Sequence, residues 1–343
     1  MENQSVIKIA FLLESTFLCG GVKVVLCQAE ALLKMGHQVK VVSGDPAPDW
    51  FSGEICFVQK NPFTFGFDKE FDIIIVTTPE LALFHYRHAE SKKIYHLIQG
   101  YEGDFQECLS MKNRIEKAYR LPVVKLTVSE RLATRLENLF PGPYFSIGQG
   151  LEHDYFYDLP TSGKWRNPDR VFLVGPLSIS VKQIDIGLTA FKKVQKVRPN
   201  LNLVRISSVD TRKEEEKLTG PIGEYHTHLK PEEVGRVFRT GCGVLISPSG
   251  AGEGFGLPPL EAMACGVPTV LTNIPSYNSF AVPVDYARFV APGDAISMAQ
   301  GLMDVLHNHQ ERCRLISRGL EVASLYRFEK VARKMENIFR NVR

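Results

Sequence analysis

The stretch from residue 243 to residue 272, GVLISPSGAGEGFGLPPLEAMACGVPTVLT, contains one complete strand–helix–strand pattern. GVLIS at its start and TVLT at its end are short apolar runs of the kind that form buried strands. Between them lies a glycine-rich turn, and residues 257–265 then have the composition of a helix with prolines near its start. This order of elements predicts two parallel strands connected by a helix that covers the sheet.

The same alternation of strands and helices continues along the rest of the chain. The other predicted strands are VIKIAFLL, QVKVVS, FDIIIVTT, KKIYHLIQ, VVKLTVS and FSIG in the first half, and VFLVG, LNLVRIS and ARFVAP in the second. The first helix is predicted to end at Gly36, a C-cap signal. A loop-rich stretch between Pro141 and Pro168 separates the halves. We therefore expect an α/β fold with two Rossmann-like, doubly wound parallel-sheet domains, residues 1–152 and 165–324.

Composition narrows the class of protein. The 343 residues are 44% hydrophobic and 23% charged, the ordinary balance of a globular protein of about two domains. A formal net charge of +3 does not suggest a nucleic-acid partner. The start, MENQSV, has no signal-peptide core, and no apolar run approaches ~18 residues. The seven scattered cysteines predict reduced, buried thiols, and together these features favour a cytoplasmic protein.

The glycine-rich turn indicates a ligand site. Glycines let a backbone approach a ligand closely, and free amides at a helix N-terminus attract phosphate. Glu261 lies one to two turns into the following helix, from which it can reach a hydroxyl-rich group, and Glu253 lies in the turn itself. The alternative is a tight turn into a core helix, with both glutamates solvated.

Glu253 and Glu261, with seven residues between them in the block EGFGLPPLEAMACGVP, resemble the family-four glycosyltransferases of the GT-B fold, the glycosyl transferases group 1. The resemblance implies retaining hexosyl or related transfer from a nucleotide-diphosphate sugar to an acceptor hydroxyl of a glycan, lipid or small molecule. The reaction would take place in a cleft between the two domains, without a metal or other cofactor. The resemblance also implies that residues 325–343 form a helix that returns to the first domain.

Roles for individual residues follow from the same resemblance. Glu253 would contact the donor sugar as a catalytic residue, and Glu261 the ribose of the nucleotide. The turn would hold the diphosphate through Gly254, Phe255, Gly256 and Leu257. Gly20 and Gly21, before an amphipathic helix, resemble the glycine loop that faces the donor phosphates from the first domain.

The second domain departs from the family pattern after its first strand, VFLVG. Lys182 matches a catalytic lysine that neutralises the departing diphosphate, but it could also be a solvated lysine at a helix start. Pro176 stands where the family has an arginine, and Gln183 where it has a glycine. Three residues are open as the source of the second cation: Arg205, Arg212 and Lys213.

The acceptor side is predicted at the end of the strand in KKIYHLIQGYEGDF, near which many relatives carry a histidine. Strand alternation places His96 and Ile98 on one face and Gln99 on the other. We therefore expect His96 to be a packed strand histidine. The residues predicted to face the acceptor are Gln99, Tyr101, Glu102 and Asp104.

Three further features have competing interpretations. His85-x-x-His88 and His226-x-His228 have metal-ligand spacing, but we expect no metal site. The basic residues between Lys112 and Arg135, interleaved with Leu109, Ile115 and Tyr119, indicate either peripheral membrane contact or a solvated helix face. Two alternatives to a transferase are left open: an inert sugar-nucleotide-binding protein, which the departures from the family pattern suggest, and an epimerase acting on a nucleotide sugar with the same fold.

Overall fold

The computed structural model describes residues 5–64, 69–88, 94–159, 168–240 and 243–342. The chain divides into two compact units, one formed by residues 1–150 with 327–343 and the other by residues 151–326. Each unit contains a parallel sheet with helices packed on it, so the predicted α/β fold class is confirmed. Residues 160–167 of the predicted linker, and Cys242, lie outside the described residues.

The first unit is built on a seven-stranded sheet within the described residues, and all its strand pairs are parallel. In chain order the strands are β1 (Lys8–Leu12), β2 (Gln38–Ser43), β3 (Cys56–Gln59), β4 (Ile73–Val76), β5 (Ile94–Ile98), β6 (Val124–Thr127) and β7 (Tyr144–Ser146). Their spatial order is β3-β2-β1-β4-β5-β6-β7. The helices are α1 (Gly20–Lys34), α2 (Pro79–His88), α3 (Lys112–Tyr119) and α4 (Glu130–Glu137).

The strands of this unit are apolar because they lie in its core. β4 reads IIIV and is buried throughout, because a parallel sheet covered by helices on both faces leaves no face for polar side chains. α1 ends at Lys34, and Gly36, the predicted stop signal, follows it with a φ of +93° that is readily accessible to glycine. The Gly36 amide donates to the Leu33 carbonyl at 2.9 Å, which satisfies an acceptor of the last helical turn.

The second unit contains a six-stranded parallel sheet within the described residues, in the order β10-β9-β8-β11-β12-β13. The strands are β8 (Arg170–Val174), β9 (Asn202–Ser207), β10 (Glu224–Thr227), β11 (Gly243–Ser247), β12 (Thr269–Thr272) and β13 (Arg288–Val290). The helices are α5 (Ile184–Gln195), α6 (Arg212–Thr219), α7 (Pro231–Arg239), α8 (Leu257–Ala264), α9 (Ala295–His307) and α10 (His309–Ser324).

The last helix, α11 (Phe328–Asn341), returns to the first unit, as the family resemblance implied. It packs against α1, and the Phe339 ring lies edge-on to the Tyr95 ring at 5.2 Å. The Arg340 guanidinium donates to the Ser5 carbonyl at 3.0 Å. These contacts join residues that are far apart in the sequence, so both ends of the chain belong to the first unit.

Each sheet has one place where its strand order reverses direction. In the second unit the chain leaves β8 toward β9 on one side, whereas β11 lies on the other side of β8 and leads to β12. In the first unit the corresponding neighbours are β1 and β4. The connections diverge at such a point and leave a crevice beyond the carboxyl ends of the strands, where open α/β sheets bind ligands.

The cysteines do not follow the sequence prediction. Among the six in the described residues, only Cys27 and Cys265 are buried, while Cys19, Cys56 and Cys313 are exposed. The prediction of buried thiols was therefore wrong for most of them. An apolar neighbourhood in sequence does not determine which face of an element a side chain occupies.

Candidate functional site

The loops that follow β8 and β11 meet at the reversal point of the second sheet. The Gly250 amide donates to the Val181 carbonyl at 2.8 Å, which joins the two loops directly. The Thr272 hydroxyl, at the end of β12, donates to the Ser249 carbonyl at 2.6 Å. The glycine-rich turn predicted from the sequence is therefore held at the carboxyl edge of three neighbouring strands.

Lys182 and Glu253, the two residues predicted to be catalytic, form an ion pair across these loops. The Lys182 ammonium donates to Oε2 of Glu253 at 2.8 Å and to Oε1 at 3.0 Å. The side chains are 23% and 8% exposed respectively. Lys182 is thus not a solvated lysine, and a partly buried pair of this kind is screened less than a surface pair. The arrangement places one cation and one hydrogen-bond acceptor side by side.

The turn after Glu253 presents a row of backbone donors. The amides of Gly254, Phe255 and Gly256 donate to no acceptor within the described residues. Gly256 caps α8 with a φ of +96°, which favours glycine. Residues 258 and 259 are prolines and have no N–H, so the donors of this helix start lie in the turn rather than in the first helical turn. Consecutive free amides beside a cation suit a diphosphate.

Aromatic packing holds the turn in this shape. Phe255 is buried, with its ring 5.2 Å from Phe280 and 5.5 Å from Tyr326. Its side chain therefore anchors the turn in the core, and only its backbone can serve the predicted ligand. A Cβ at Gly256 would lie 2.2 Å from the Tyr277 ring, so glycine is required there on steric grounds also.

The hydroxyl of Tyr277 extends this support to the end of β11. It donates to Ser249 Oγ at 2.9 Å and lies 2.6 Å from Ser247 Oγ. Burial, together with the nearby Glu253 carboxylate, raises the pKa of Tyr277 well above its ordinary value. Tyr277 is therefore a neutral hydrogen-bonding support, and the sequence reasoning did not find it because it lies about twenty residues after the turn.

Glu261 lies one turn into α8 and is 6% exposed. Since the Glu253 side chain is also largely buried, the alternative of two solvated glutamates is wrong. Leu257, at the first position of α8, is half-buried. The second unit thus supplies Lys182 from the loop after β8, and Glu253, the free amides and Glu261 from the turn and helix after β11.

The three residues open as a second cation have different surroundings. Arg205 is fully buried and forms a bidentate pair with Glu215, at 2.6 and 2.7 Å. It also donates to the carbonyls of Leu173 at 2.5 Å and Gly175 at 2.9 Å, so it supports the end of β8 and is unavailable to a ligand. Arg212 pairs with Glu216 and donates to the Ile222 carbonyl, whereas Lys213 is exposed on α6.

In the first unit the glycine pair and Gln99 come together. Gly20 and Gly21 open α1, and the Gln99 side-chain amide donates to the Gly21 carbonyl at 3.0 Å. At the reversal point between β1 and β4, the Thr78 hydroxyl donates to the Glu14 carboxylate. Glu14 and Thr78 were not predicted as site residues, although each lies two residues after the end of an apolar strand.

The other residues predicted to face the acceptor make contacts with side chains of the first unit. Tyr101 is buried, with its ring 5.3 Å from that of Tyr119, so it is a core residue and not an exposed cleft residue. Glu102 accepts a 2.6 Å hydrogen bond from the Tyr119 hydroxyl, and burial raises the pKa of its carboxyl group. Asp104 is exposed but pairs with Arg135 at 2.5 Å. Tyr101 is close to Gln99 in sequence, but this proximity does not make its side chain available to an acceptor.

His96 is buried as predicted, with its ring edge-on to that of Tyr119 at 5.4 Å. Burial, reinforced by the charge of Lys125, lowers the pKa of His96 to about 3. The imidazole is therefore neutral at physiological pH and packs within the sheet.

The histidine pairs with metal-ligand spacing have other partners. His85 Nε2 is 2.8 Å from the Pro62 carbonyl, and His226 Nε2 is 3.0 Å from the Glu224 carboxylate. Across the described part of the chain, no group of three or more His, Cys, Asp or Glu side chains is arranged to hold a metal ion.

The basic segment forms an amphipathic surface that differs from the predicted one. Ile115 and Tyr119 lie on the buried face of α3, so they are unavailable for membrane contact. Instead Leu109 and Met111, in the turn before α3, are 58% and 45% exposed. The exposed basic residues next to them are Lys112, Arg114, Lys117 and Arg120, and Arg131 and Arg135 are exposed further along the segment, on α4. None of the described helices is both long enough and apolar enough to span a bilayer.

Comparison with known proteins identifies glycosyltransferase relatives of this chain. The family model described as Glycosyl transferases group 1 matches residues 161–322. Phosphatidyl-myo-inositol mannosyltransferase of Mycolicibacterium smegmatis is 22% identical over 357 residues, covering 94% of this chain and 90% of that protein.

Solved structures share the architecture. Anabaena HepE, crystallised with UDP-glucose, superposes with a TM-score of 0.77 at 13% identity, covering 97% of this chain and 99% of that one. Sucrose-phosphate synthase of Thermosynechococcus elongatus has a TM-score of 0.74 at 17% identity, with 97% and 98% covered. Over nearly its whole length the chain has the fold of these proteins, and its second unit matches the group 1 family model, so the chain is a glycosyltransferase of the GT-B fold.

Proposed function

We propose that this glycosyltransferase moves a sugar from a nucleotide-diphosphate sugar to an acceptor hydroxyl with retention of the anomeric configuration. The observation that carries the proposal is the Lys182–Glu253 pair beside three free amides at the reversal point of the second sheet. The diphosphate accepts from the amides of Gly254, Phe255 and Gly256 and faces the Lys182 cation. Glu253 accepts from hydroxyls of the transferred sugar, and Glu261 accepts from the ribose.

The reaction follows from this binding mode. The bond between the anomeric carbon and the diphosphate oxygen breaks, and its electron pair stays on the diphosphate. Lys182 and the amides stabilise the charge that develops there, the main electrostatic requirement of the step. The acceptor oxygen bonds to the anomeric carbon on the face that the leaving group vacates, and its proton passes to the departing phosphate oxygen. We assign the acceptor to the first unit, where Gln99, Glu102 and Asp104 would face it, and Gly20 and Gly21 would face the donor phosphates.

The donor class can be tested by thermal unfolding. A ligand that binds only the native state raises the free energy of unfolding by RT ln(1 + [L]/Kd), about 2.7 kcal/mol at 100 times Kd. We expect UDP- or GDP-sugars to raise the melting temperature, since HepE was crystallised with UDP-glucose. NMR of the product made with an α-linked donor would then give its anomeric configuration, and a β-linked product would overturn retention.

Glu261→Ala should weaken binding of the nucleotide sugar by about 1.5–3 kcal/mol, because a charge-assisted hydrogen-bond pair to the ribose is lost. Isothermal calorimetry measures this directly. Glu137→Ala, at an exposed position of α4, is the matched control and should leave the affinity unchanged. Equal affinities for wild type and Glu261→Ala would remove the ribose role.

The alternatives to transfer predict different chemistry with the same ligands. An inert binding protein would bind nucleotide sugars without ever cleaving them, whereas a transferase often hydrolyses its donor slowly when no acceptor is present. An epimerase would return a nucleotide sugar of altered configuration and release no free nucleotide. Chromatography of the donor after long incubation separates these outcomes.

A lipid-linked acceptor at a membrane surface accounts for the exposed amphipathic segment. Leu109 and Met111 lie beside Lys112, Arg114 and Lys117, all of them exposed. Apolar side chains flanked by basic ones suit an anionic bilayer surface. The relative from Mycolicibacterium smegmatis is named as a phosphatidyl-myo-inositol mannosyltransferase, which supports an acceptor of this class.

Lys112→Ala/Lys117→Ala should reduce adsorption to phosphatidylserine vesicles about 30-fold, since each basic residue near an anionic surface contributes about 1 kcal/mol. Co-sedimentation at low salt measures the adsorption, and raising the salt should weaken it in the wild type. Leu109→Ser should also reduce adsorption, whereas Ile296→Ser, at an exposed position beside Asp294, serves as its control. A wild type that stays in the supernatant at low salt contradicts the proposal.

A further inference from the structure

Gln183 has a backbone conformation that residues other than glycine rarely adopt. Its φ and ψ are +46° and +42°, in the left-handed region. The residue lies between the 3-10 turn of Ser180–Lys182 and the start of α5. Strained backbone of this kind tends to persist where a side chain has a function that another residue at that position would not supply.

The side chain of Gln183 does not compensate the strain locally. It makes no capping hydrogen bond to α5, although it is the N-cap residue. It extends instead toward the glycine turn, where its Nε2 lies 3.0 Å from the position that a Cβ on Gly250 would occupy. Its Oε1 is buried and has no hydrogen-bond partner within the described residues. A buried acceptor without a partner costs about 1–3 kcal/mol, a cost that a suitable ligand hydroxyl would remove.

The neighbours of this carboxamide are the groups assigned to the donor. The preceding residue is Lys182, whose ammonium pairs with Glu253. The backbone of Val181 accepts from the Gly250 amide, so the carboxamide of Gln183 lies where the two loops join.

We propose that Gln183 is a specificity-determining residue whose carboxamide oxygen accepts a hydrogen bond from a hydroxyl of the transferred sugar. The inference rests on the proposed donor binding. The chemistry selects the sugar over the diphosphate, because phosphate oxygens only accept hydrogen bonds and Oε1 requires a donor. The amides of the turn and Lys182 already provide what the diphosphate needs, whereas a sugar hydroxyl satisfies the buried oxygen.

Gln183→Gly removes both the backbone strain and the side-chain contact, and the two effects appear in different measurements. The variant relieves the left-handed backbone, so its melting temperature should rise by about 2 °C. Its affinity for the nucleotide sugar should fall about tenfold, the equivalent of one hydrogen bond to a buried acceptor. Its affinity for the matching free nucleoside diphosphate should stay within about twofold of wild type. Calorimetry with the two ligands and thermal unfolding give the three values.

Gln183→Met is the matched control, because it keeps the length and the strain but lacks the carboxamide. It should lose sugar affinity as Gln183→Gly does, without gaining stability. Sugar affinity that survives in both variants would overturn the proposal, and so would equal losses for the nucleotide sugar and the free diphosphate. If wild type binds no nucleotide sugar at all, the proposed function itself fails, and that result does not depend on Gln183.

Discussion

Replacing Lys182 with alanine should lower kcat by about 100- to 1,000-fold, while the affinity for the nucleotide sugar falls far less. Removing one preorganised group that stabilises developing charge costs on the order of 2.7–4 kcal/mol in activation free energy. The charge on the departing diphosphate grows toward the transition state, so the ammonium contributes more there than in the ground state. Steady-state kinetics with the best donor of the thermal screen measure kcat and KM separately.

The experiment needs a control for the loss of the ion pair between Lys182 and Glu253. In Lys182→Ala, the Glu253 carboxylate loses a partner while its side chain stays only 8% exposed, so some of the effect could arise from a displaced turn. Adding Glu253→Gln removes the unpaired charge, and since Glu253 also contacts the sugar, this double variant should be at least as slow as Lys182→Ala. Lys193→Ala, at an exposed position of α5, should retain normal turnover. A variant with normal kcat and a raised KM alone would show that Lys182 binds only the ground state.

Replacing Arg205 with methionine should lower the free energy of unfolding by about 3–5 kcal/mol, because it leaves the Glu215 carboxylate buried without its partner. Both side chains of the pair are fully buried, and the carbonyls of Leu173 and Gly175 lose their donor in the same step. For a unit of this size the loss corresponds to a melting temperature lower by about 10 °C. Denaturant titration and calorimetry provide the two values.

Two comparisons test the reason for this loss. Arg205→Met/Glu215→Leu removes both charges and should regain a large part of the stability, since apolar replacements of a buried pair are often tolerated. Arg212→Met breaks an exposed pair with Glu216 on the same helix as Glu215 and should cost less than about 1 kcal/mol. If Arg205→Met were as stable as wild type, Arg205 would not support the end of β8, and its availability to the donor diphosphate would have to be reconsidered.

The sequence by itself determined the architecture and the stretch that carries the site. Continuous apolar runs such as IIIV of β4 identify buried parallel strands, and Gly36 marks the end of α1, because both signals depend on neighbours close in sequence. The short edge strands β3 and β10 were not found. Both strands are largely half-exposed; EYHT has no apolar run, and CFVQ has only a short one.

Only the tertiary structure decided what the individual side chains contact. The ion pair of Lys182 with Glu253 joins residues 71 positions apart, and no local pattern encodes such a distance. The same holds for Arg205, which was open as a second cation and proves to be held by Glu215, and for Tyr101, which packs with Tyr119 in the core. Periodicity specifies which strands and helices form, whereas the pairing of polar groups depends on how the sheet orders its strands and brings their loops together.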